Sequence, residues 1–484
     1  KAQANMAEQI ENTEDLNKYQ IMATVTSGLE FIAADEVRDK LVGSFVYSNK
    51  KTIPGKVFFT LPNLNEETFQ TITKLVCVEH LHVVVGVTLF EDKFASNPNK
   101  KRKDAHGTPV KDAPTSTEEI KNTDNHNNDS KQPEENVVPQ QAPSSEVTST
   151  TTSEQDSNKD SKKRKLKDIP NIFSDAQWDQ AMQIWRQHSR FIRGVKNNAI
   201  LSTPIYRVTG RMSGPHSFKS DVLAAQVAEG ISAKFPAWQM HTKSYEMEII
   251  VYGRFSQMVL CINLNEKSQS LQLVDPKRNF SATALRPAIS YSLLKLADVK
   301  PGDLVVDPMA GCGTIPHMGA QTWPLAYYLA GDLNDVAIQK TVQNQKLLDD
   351  SKKPHFCDTT QWDCRRLPFK DGSVDAVVTD MPFGKRMGSH QQNVKIYPAV
   401  LSDFFRVLNP NTGRAVLLTA EQKLVREYLN KRKDWKIKRH IVINQGGLDV
   451  TIFQIVPAKT LANQNTDNNT NSNNNEEPVK QEQN

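Results

Sequence analysis

Asp307-Pro308-Met309-Ala310-Gly311-Cys312-Gly313-Thr314 is the stretch that decides the fold. Leu304-Val305-Val306 stands just before it, a short apolar run of the kind a buried parallel strand shows. A helix-like stretch follows. Gly311 and Gly313 let the backbone turn sharply and approach a ligand closely, because neither carries a Cβ. Strand, Gly-x-Gly turn and helix together mark the nucleotide site of a doubly wound α/β sheet. The dinucleotide version wants a third small residue three places on, and here that place is Pro316, which argues against NAD. An acidic Asp307 followed by Pro308 suits a loop wrapped around a cationic cofactor instead. By itself the pattern is also compatible with an ordinary glycine-rich turn.

A second motif sharpens the reading. Asp380-Met381-Pro382-Phe383 directly follows the apolar strand Ala376-Val377-Val378-Thr379. A carboxylate, a proline-stiffened turn and an aromatic ring thus meet at a strand's C-terminal end, the edge at which open α/β sheets bind ligands. The pair D-P-x-x-G-x-G and D-x-P-F resembles the cofactor and catalytic motifs of S-adenosylmethionine-dependent methyltransferases that act on exocyclic amino nitrogens. The longer strings T-D-M-P-F-G-K-R-M-G-S and L-R-P-A-I-S-Y-S-L-L (Leu285 to Leu294) are more specific. They resemble the THUMP domain-containing tRNA guanine-N2 methyltransferases. The strong match runs from about Arg278 to Pro457, with weaker ones over Ile21 to Val87 and Tyr206 to Leu264.

Length and composition agree with a multidomain enzyme. At 484 residues the chain is long enough for two or three domains, and its formal charge of +5 permits a nucleic-acid partner without demanding one. Its five cysteines form no C-x-x-C pair, which argues against a disulfide framework and a zinc site and fits a reducing compartment. No apolar run approaches a membrane span, and no signal peptide stands at the start, although the sequence opens on Lys1 rather than methionine.

Taken in order, residues 1–18 read as loose. Residues 19–96 begin β-α-β, with Ile21, Ala23 and Val25 alternating and Phe31, Ala34, Val37 and Leu41 at helical spacing. They resemble the ferredoxin-like and first THUMP part of these enzymes. Residues 97–170 contain no Phe, Trp or Tyr and read as a disordered insertion. It carries two basic runs, Lys100 to Lys103 and Lys162 to Lys165, which read as solvated charge, with a nuclear address as the alternative to a purely cytoplasmic protein. Residues 171–274 resemble the THUMP domain. They hold a Trp178, Ala181, Met182, Trp185 stripe read as core, and an amphipathic helix from Ser220 with Val222, Ala225, Val227, Ala228 and Ile231 on or near its buried side. The resemblance implies binding of the single-stranded end of tRNA here, with Arg207, Arg211, Lys219, Lys234 and Lys243 as contacts. Residues 275–459 form the methyltransferase domain, and 460–484 an Asn-rich disordered tail.

The expected fold is therefore α/β: a class I, Rossmann-like, seven-stranded methyltransferase domain behind a ferredoxin-like region and a THUMP domain. Asp307, Pro308, Gly311, Gly313 and Thr314 are expected to hold S-adenosylmethionine. Asp332 ends the next strand, about twenty positions after the glycine loop, where a carboxylate takes ribose hydroxyls. Asp335 is read as the cap of the helix that follows. The resemblance gives Asp363 the adenine amino group. Guanine N2 is a poor nucleophile because its lone pair is delocalised into the ring. Two acceptors, Asp380 and the carbonyl of Met381 or Pro382, would pull it towards tetrahedral geometry and ready a proton to leave. Phe383 would stack on the base, and Lys385 and Arg386 would meet RNA phosphate. The expected product is N2-methylguanosine in the tRNA acceptor stem, at guanosine 6, and a paired target must flip out. Another exocyclic amine, or a silent RNA-binding adaptor, are the rival readings. The resemblance also implies a heterodimer with a small zinc-binding activator subunit that adds a strand to the sheet edge near Phe356 to Trp362.

Overall fold

Two sheets carry the chain in the computed structural model, which describes residues 16, 18–48, 53–89, 176–214, 216, 218–254, 257–274, 277–278, 284–350, 354–383, 389–445 and 447–460. The readings made for most of 1–18, for 97–170, for Lys385 and Arg386 and for the tail beyond Thr460 lie outside those residues.

The first sheet has eight strands. Before residue 90 come β1 (Ile21–Val25), α1 (Glu30–Lys40), β2 (Val46–Tyr47), β3 (Lys56–Phe59), α2 (Glu66–Ile72) and β4 (Val78–Leu89). After residue 175 come α3 (Trp178–Phe191), α4 (Asn198–Ser202), β5 (Ile205–Ser213), α5 (Ser220–Lys234), β6 (Gln239–Met240), β7 (Met247–Arg254) and β8 (Gln257–Asn263). Their order is β2-β3-β1-β4-β8-β7-β5-β6. The two segments meet at the antiparallel β4–β8 seam, where Val83 faces Ile262. They thus build one sheet rather than two. Alternate strand residues such as Ile21, Val83, Ile249 and Leu260 bury against the helices. Trp178, Ala181, Met182 and Trp185 are buried there as well.

The α5 stripe differs from the sequence reading by one step. Leu223, Val227, Ala228 and Ile231 are buried, whereas Val222 and Ala225 are exposed. The start of α5 lies flush on Gly210 of β5, where an added Cβ would stand 2.0 Å from the Ser220 carbonyl oxygen. That close docking sets the rotation of the helix, and the core takes the side chain that the rotation presents.

The second sheet follows α6 (Gln269–Gln272) and α7 (Pro287–Leu296). Its elements are β9 (Leu304–Asp307), α8 (Thr314–Thr322), β10 (Tyr327–Asp332), α9 (Asp335–Asp350), β11 (Phe356–Gln361), β12 (Ala376–Asp380), α10 (His390–Val407), β13 (Arg414–Thr419), α11 (Gln422–Asn430), β14 (Trp435–Gln445) and β15 (Leu448–Pro457). The order is β11-β10-β9-β12-β13-β15-β14. β9 to β13 run parallel, and β15 enters antiparallel between β13 and β14. This is the seven-stranded, Rossmann-like class I arrangement. β9 and β12 are parallel neighbours from which the chain winds outward in opposite senses, so a crevice opens outside their C-terminal ends. Asp307 and Asp380 stand at those two ends.

The sheets share a core. One apolar cluster runs from Ile21 and Val57 through Leu293 and Leu294 of α7 to Val305 and Ile452. At the contact between the sheets Gly28, at φ +103°, would place a Cβ 2.6 Å from the Val442 carbonyl oxygen, so only glycine fits. Glu30 is buried beside it and accepts the Gly28 and Gly55 N–H groups at 2.8 and 2.7 Å. Among the described residues no helix is long and apolar enough to cross a membrane.

Candidate active site

The glycine loop is held from below by a helix. Gly311 and Gly313 have φ of +59° and +79°. Gly313 is closed in, since a Cβ there would meet Thr341 at 2.8 Å and His317 at 2.5 Å. Gly311 is open: a Cβ would meet nothing within 4 Å among the described residues, which leaves its backbone bare. Thr341 of α9 donates to the Gly311 carbonyl at 2.8 Å, and Asn344, one turn on, donates to the Cys312 carbonyl at 2.9 Å. Asp332 accepts the Gly311 N–H at 3.0 Å and the Asn334 N–H at 2.9 Å. Thr314 is buried in the first turn of α8, its hydroxyl 3.4 Å from the Cys312 sulfur. Pro316 fits that turn because the first N–H groups of a helix have no intrahelical acceptor. The Pro308 carbonyl accepts the Trp362 indole N–H at 3.1 Å, and the same ring lies so close to Gly331 that a Cβ would be 1.9 Å away.

The carboxylates at the switch point are strongly perturbed. Asp307 is buried, and burial lifts its pKa to about 7 even though the Met309 N–H donates to it at 3.2 Å. Asp380 is lifted to about 8, first by burial and then by the neighbouring charge of Asp307. Its Oδ1 is buried and has no hydrogen-bond partner among the described residues. An orphaned carboxylate oxygen beside an open glycine loop fits an organic cation with a proton-bearing nucleophile next to it.

The turn after Asp380 is pinned by α10. Asn393 donates to the Pro382 carbonyl at 3.0 Å and Tyr397 donates to the same oxygen at 2.9 Å. Tyr397 is also 2.7 Å from the Thr419 hydroxyl. Both lone pairs of the Pro382 carbonyl are thereby occupied. Of the two carbonyls weighed as the second acceptor, Met381 is the one left. Phe383 is half-buried with its ring packed on the core cluster.

One expectation comes out differently. Asn334, not Asp335, caps α9, accepting the Val336 and Ala337 N–H groups at 2.9 and 3.4 Å. Asp363 is gripped by Arg365, whose Nε lies 2.9 Å from both carboxylate oxygens, and that hydrogen bonding holds its pKa below the usual range. An adenine amine there must share the carboxylate with Arg365. The basic residues expected to contact RNA do not form one surface. Arg207 is turned onto Glu248 at 2.7 Å and stacks 4.1 Å from the Tyr245 ring centroid. Arg211 shares its strand face, while Lys219 and Lys234 stand at opposite ends of α5 on the other side of the sheet, and Lys243 lies exposed after β6. Thr341, Asn344, Trp362, Asn393 and Tyr397 escaped the sequence reading. The signal for the first two was two polar residues on the Ala337–Thr341–Asn344–Leu348 stripe of α9.

Comparison with known proteins agrees with this geometry. The family described as RMKL-like methyltransferase domain matches residues 276–451. The tRNA (guanine(6)-N(2))-methyltransferase THUMP3 of Bos taurus is 31% identical over 471 residues, covering 90% of this chain and 87% of that one. The Homo sapiens protein of the same name is 30% identical over 459 residues, covering 90% and 88%. The crystal structure of TrmN from Thermus thermophilus superposes with a TM-score of 0.58 at 19% identity, over 90% of this chain and 99% of that one, which speaks for the fold. On the length and identity of the curated matches, the chain belongs to the THUMP3 family of tRNA guanine-N2 methyltransferases.

Proposed function

We infer that this protein transfers a methyl group from S-adenosylmethionine to the exocyclic N2 of guanosine 6 in the tRNA acceptor stem. The observation that carries the reading is Asp380 Oδ1, a buried acceptor without a donor among the described residues, at the switch point of a class I sheet. The methyl donor supplies an electrophilic methyl on a sulfonium. Asp307, the bare backbone from Gly311 to Gly313, Thr314 and Asp332 are the groups that would hold it, with Pro308 shaping the turn and Asp363 at the adenine end. Asp380 accepts one N–H of the target amine and the Met381 carbonyl accepts the other. This withdraws the nitrogen lone pair from ring conjugation and gives the departing proton a destination. Phe383 offers its ring to the flipped base. The proton on Asp380 must be lost before it can accept. A neighbouring sulfonium favours that loss, since an opposite charge lowers a carboxyl pKa.

The eight-stranded sheet, with its ferredoxin-like start and THUMP portion, would hold the single-stranded end of the tRNA. A small zinc-binding activator is the further partner this reading calls for. Among the described residues the edge strand β11 pairs only with β10, and around it Phe356 is 53% exposed and Leu325 67% exposed. Such an edge with apolar neighbours favours strand addition. Co-expression with the activator should raise turnover and yield one heterodimeric peak on size exclusion; a fully active monodisperse isolated chain would refute the partner. A cytoplasmic site of action goes with this reading. The function itself is tested with two tRNA transcripts that differ only at the sixth pair. Label from the methyl donor should enter the transcript with guanosine 6 and be absent from the one with adenosine 6. Equal labelling of both would refute the target.

A further inference from the structure

Glu421 stands between β13 and α11, in the place that caps α11, yet among the described residues its side chain makes no bond to the first N–H groups of that helix. The carboxylate is turned across to α10 instead. His390 Nδ1 lies 2.9 Å from both of its oxygens, and Asn393 Nδ2 lies 3.4 Å from Oε1. The same Asn393 amide donates to the Pro382 carbonyl at 3.0 Å. On its backbone side, the Glu421 N–H donates to the Thr419 hydroxyl at 2.9 Å. Thr419 Oγ1 is 2.7 Å from the Tyr397 hydroxyl, which donates to the Pro382 carbonyl at 2.9 Å. Glu421 thus reaches one oxygen, that of Pro382, by two routes. The bonds close into a ring through Asn393, Pro382, Tyr397 and Thr419.

Glu421 fixes the sense of this ring. An ionised carboxylate only accepts, whereas a side-chain amide donates or accepts according to which way it is turned. Asn393 is buried between the Glu421 carboxylate and the Pro382 carbonyl. Turned over, it would set its own oxygen against two acceptors. With Glu421 in place its NH2 group must face both. At 3.4 Å the Asn393–Glu421 bond is long, so it orients the amide rather than holding it by strength. His390 closes the solvent side, with its side chain 67% exposed against 13% for Glu421. Its Nδ1 must carry a hydrogen to face the carboxylate, and a bond to an ionised acceptor is among the stronger ones. The entry to the acceptor turn is fixed by the sheet, since the Met381 N–H donates to the Leu418 carbonyl at 2.9 Å. The exit, at Pro382, is what the ring holds.

We propose that Glu421 is a positioning residue for methyl transfer. It sets the sense of Asn393 and through it the direction of the Pro382 carbonyl, so that Asp380 and the Met381 carbonyl stay aimed at one target nitrogen. The proposal rests on the reading of Asp380 and its turn as the methyl-transfer site.

The test is steady-state turnover of the full chain on total tRNA, with label from the methyl donor counted in every nucleoside. Wild type is compared with Glu421→Gln, Asn393→Ala, the double variant and His390→Ala. Glutamine keeps the size of Glu421 but can donate, so Asn393 is free to turn over. Glu421→Gln should lower kcat about tenfold and leave the cofactor KM within about twofold, as expected of a group that aligns the reacting atoms. The double variant should be no slower than Asn393→Ala, because the route is already cut, whereas independent contributions would multiply to about 100-fold. His390→Ala, at an exposed position where folding is not at stake, should lower kcat about threefold by the same route. Unchanged kcat in either Glu421→Gln or His390→Ala, or a double variant slowed by the product of the two single effects, would overturn the proposal. The two readings fail separately. Label in a nucleoside other than N2-methylguanosine that still falls tenfold in Glu421→Gln would refute the proposed target and leave Glu421 in its role. N2-methylguanosine made at the wild-type rate by Glu421→Gln would refute the positioning role alone.

Discussion

Asp380 carries two opposed demands. As an acceptor it must be ionised, yet its surroundings favour the neutral acid, with a pKa of about 8. Its folded pKa is above the unfolded value, so the native state binds the extra proton between about 4 and 8. The stability that proton confers is present below the unfolded pKa and is lost as pH rises through the folded one. Asp380→Asn should therefore melt higher than wild type at pH 9, by a few degrees, and lower methyl transfer at least about 100-fold. A variant that melts no higher at pH 9 would contradict the burial argument. In the wild type, kcat/KM should rise with pH from 6 towards 8, as the free enzyme's carboxylate forms. Asn393 acts through Pro382 rather than on the substrate. Asn393→Ala should lower kcat about tenfold with little change in KM for the cofactor, because it frees the acceptor turn and leaves the glycine loop alone. A rise in cofactor KM with unchanged kcat would count against that positioning role.

Among the elements, β9 with its glycine loop and β12 with its acidic turn were legible in the sequence because each is short and its chemistry is contiguous. What was not legible comes from elsewhere in the chain. Asn393 and Tyr397 reach Pro382 from α10, eleven and fifteen residues downstream. Nothing in a local pattern separates them from an amphipathic helix with polar positions. β14 was missed because its apolar residues, Ile437, Ile441 and Ile443, are interleaved with Lys436, Lys438, Arg439 and His440, as on an edge strand. Asp335 was read as a cap because it begins the helix, and Asn334 took the role by standing one place earlier with its side chain over the first turn. Trp362 is legible only through its partner. Gly331→Ala, which would force a Cβ to 1.9 Å from that ring, should destabilise the protein by about 2–3 kcal/mol. The check is chemical denaturation, and a loss below about 0.5 kcal/mol would mean that the ring moves freely.

At the scale of the whole molecule, the sequence suggested separate domains and the structure joins them. The segments on either side of residues 90–175 pair through β4 and β8, a contact between residues such as Val83 and Ile262 that no local pattern announces. The same core continues into the second sheet, so the face that would hold RNA and the acid that would act on it sit at a fixed separation. Calorimetry should show one cooperative transition for both sheets, and two resolved transitions would contradict the shared core. A fixed separation between an end-binding surface and Asp380 would let the enzyme choose a guanosine by its place in the stem.

The central claim is that Asp380 accepts the proton of guanine N2 in tRNA. It is tested by nucleoside mass spectrometry of total tRNA incubated with isotope-labelled methyl donor and either wild-type protein or Asp380→Ala, alongside cofactor binding by both. The account predicts labelled N2-methylguanosine with the wild type, none with the variant, and cofactor affinities within a few-fold of each other. Label in another nucleoside, or near-normal turnover by the variant, would contradict it.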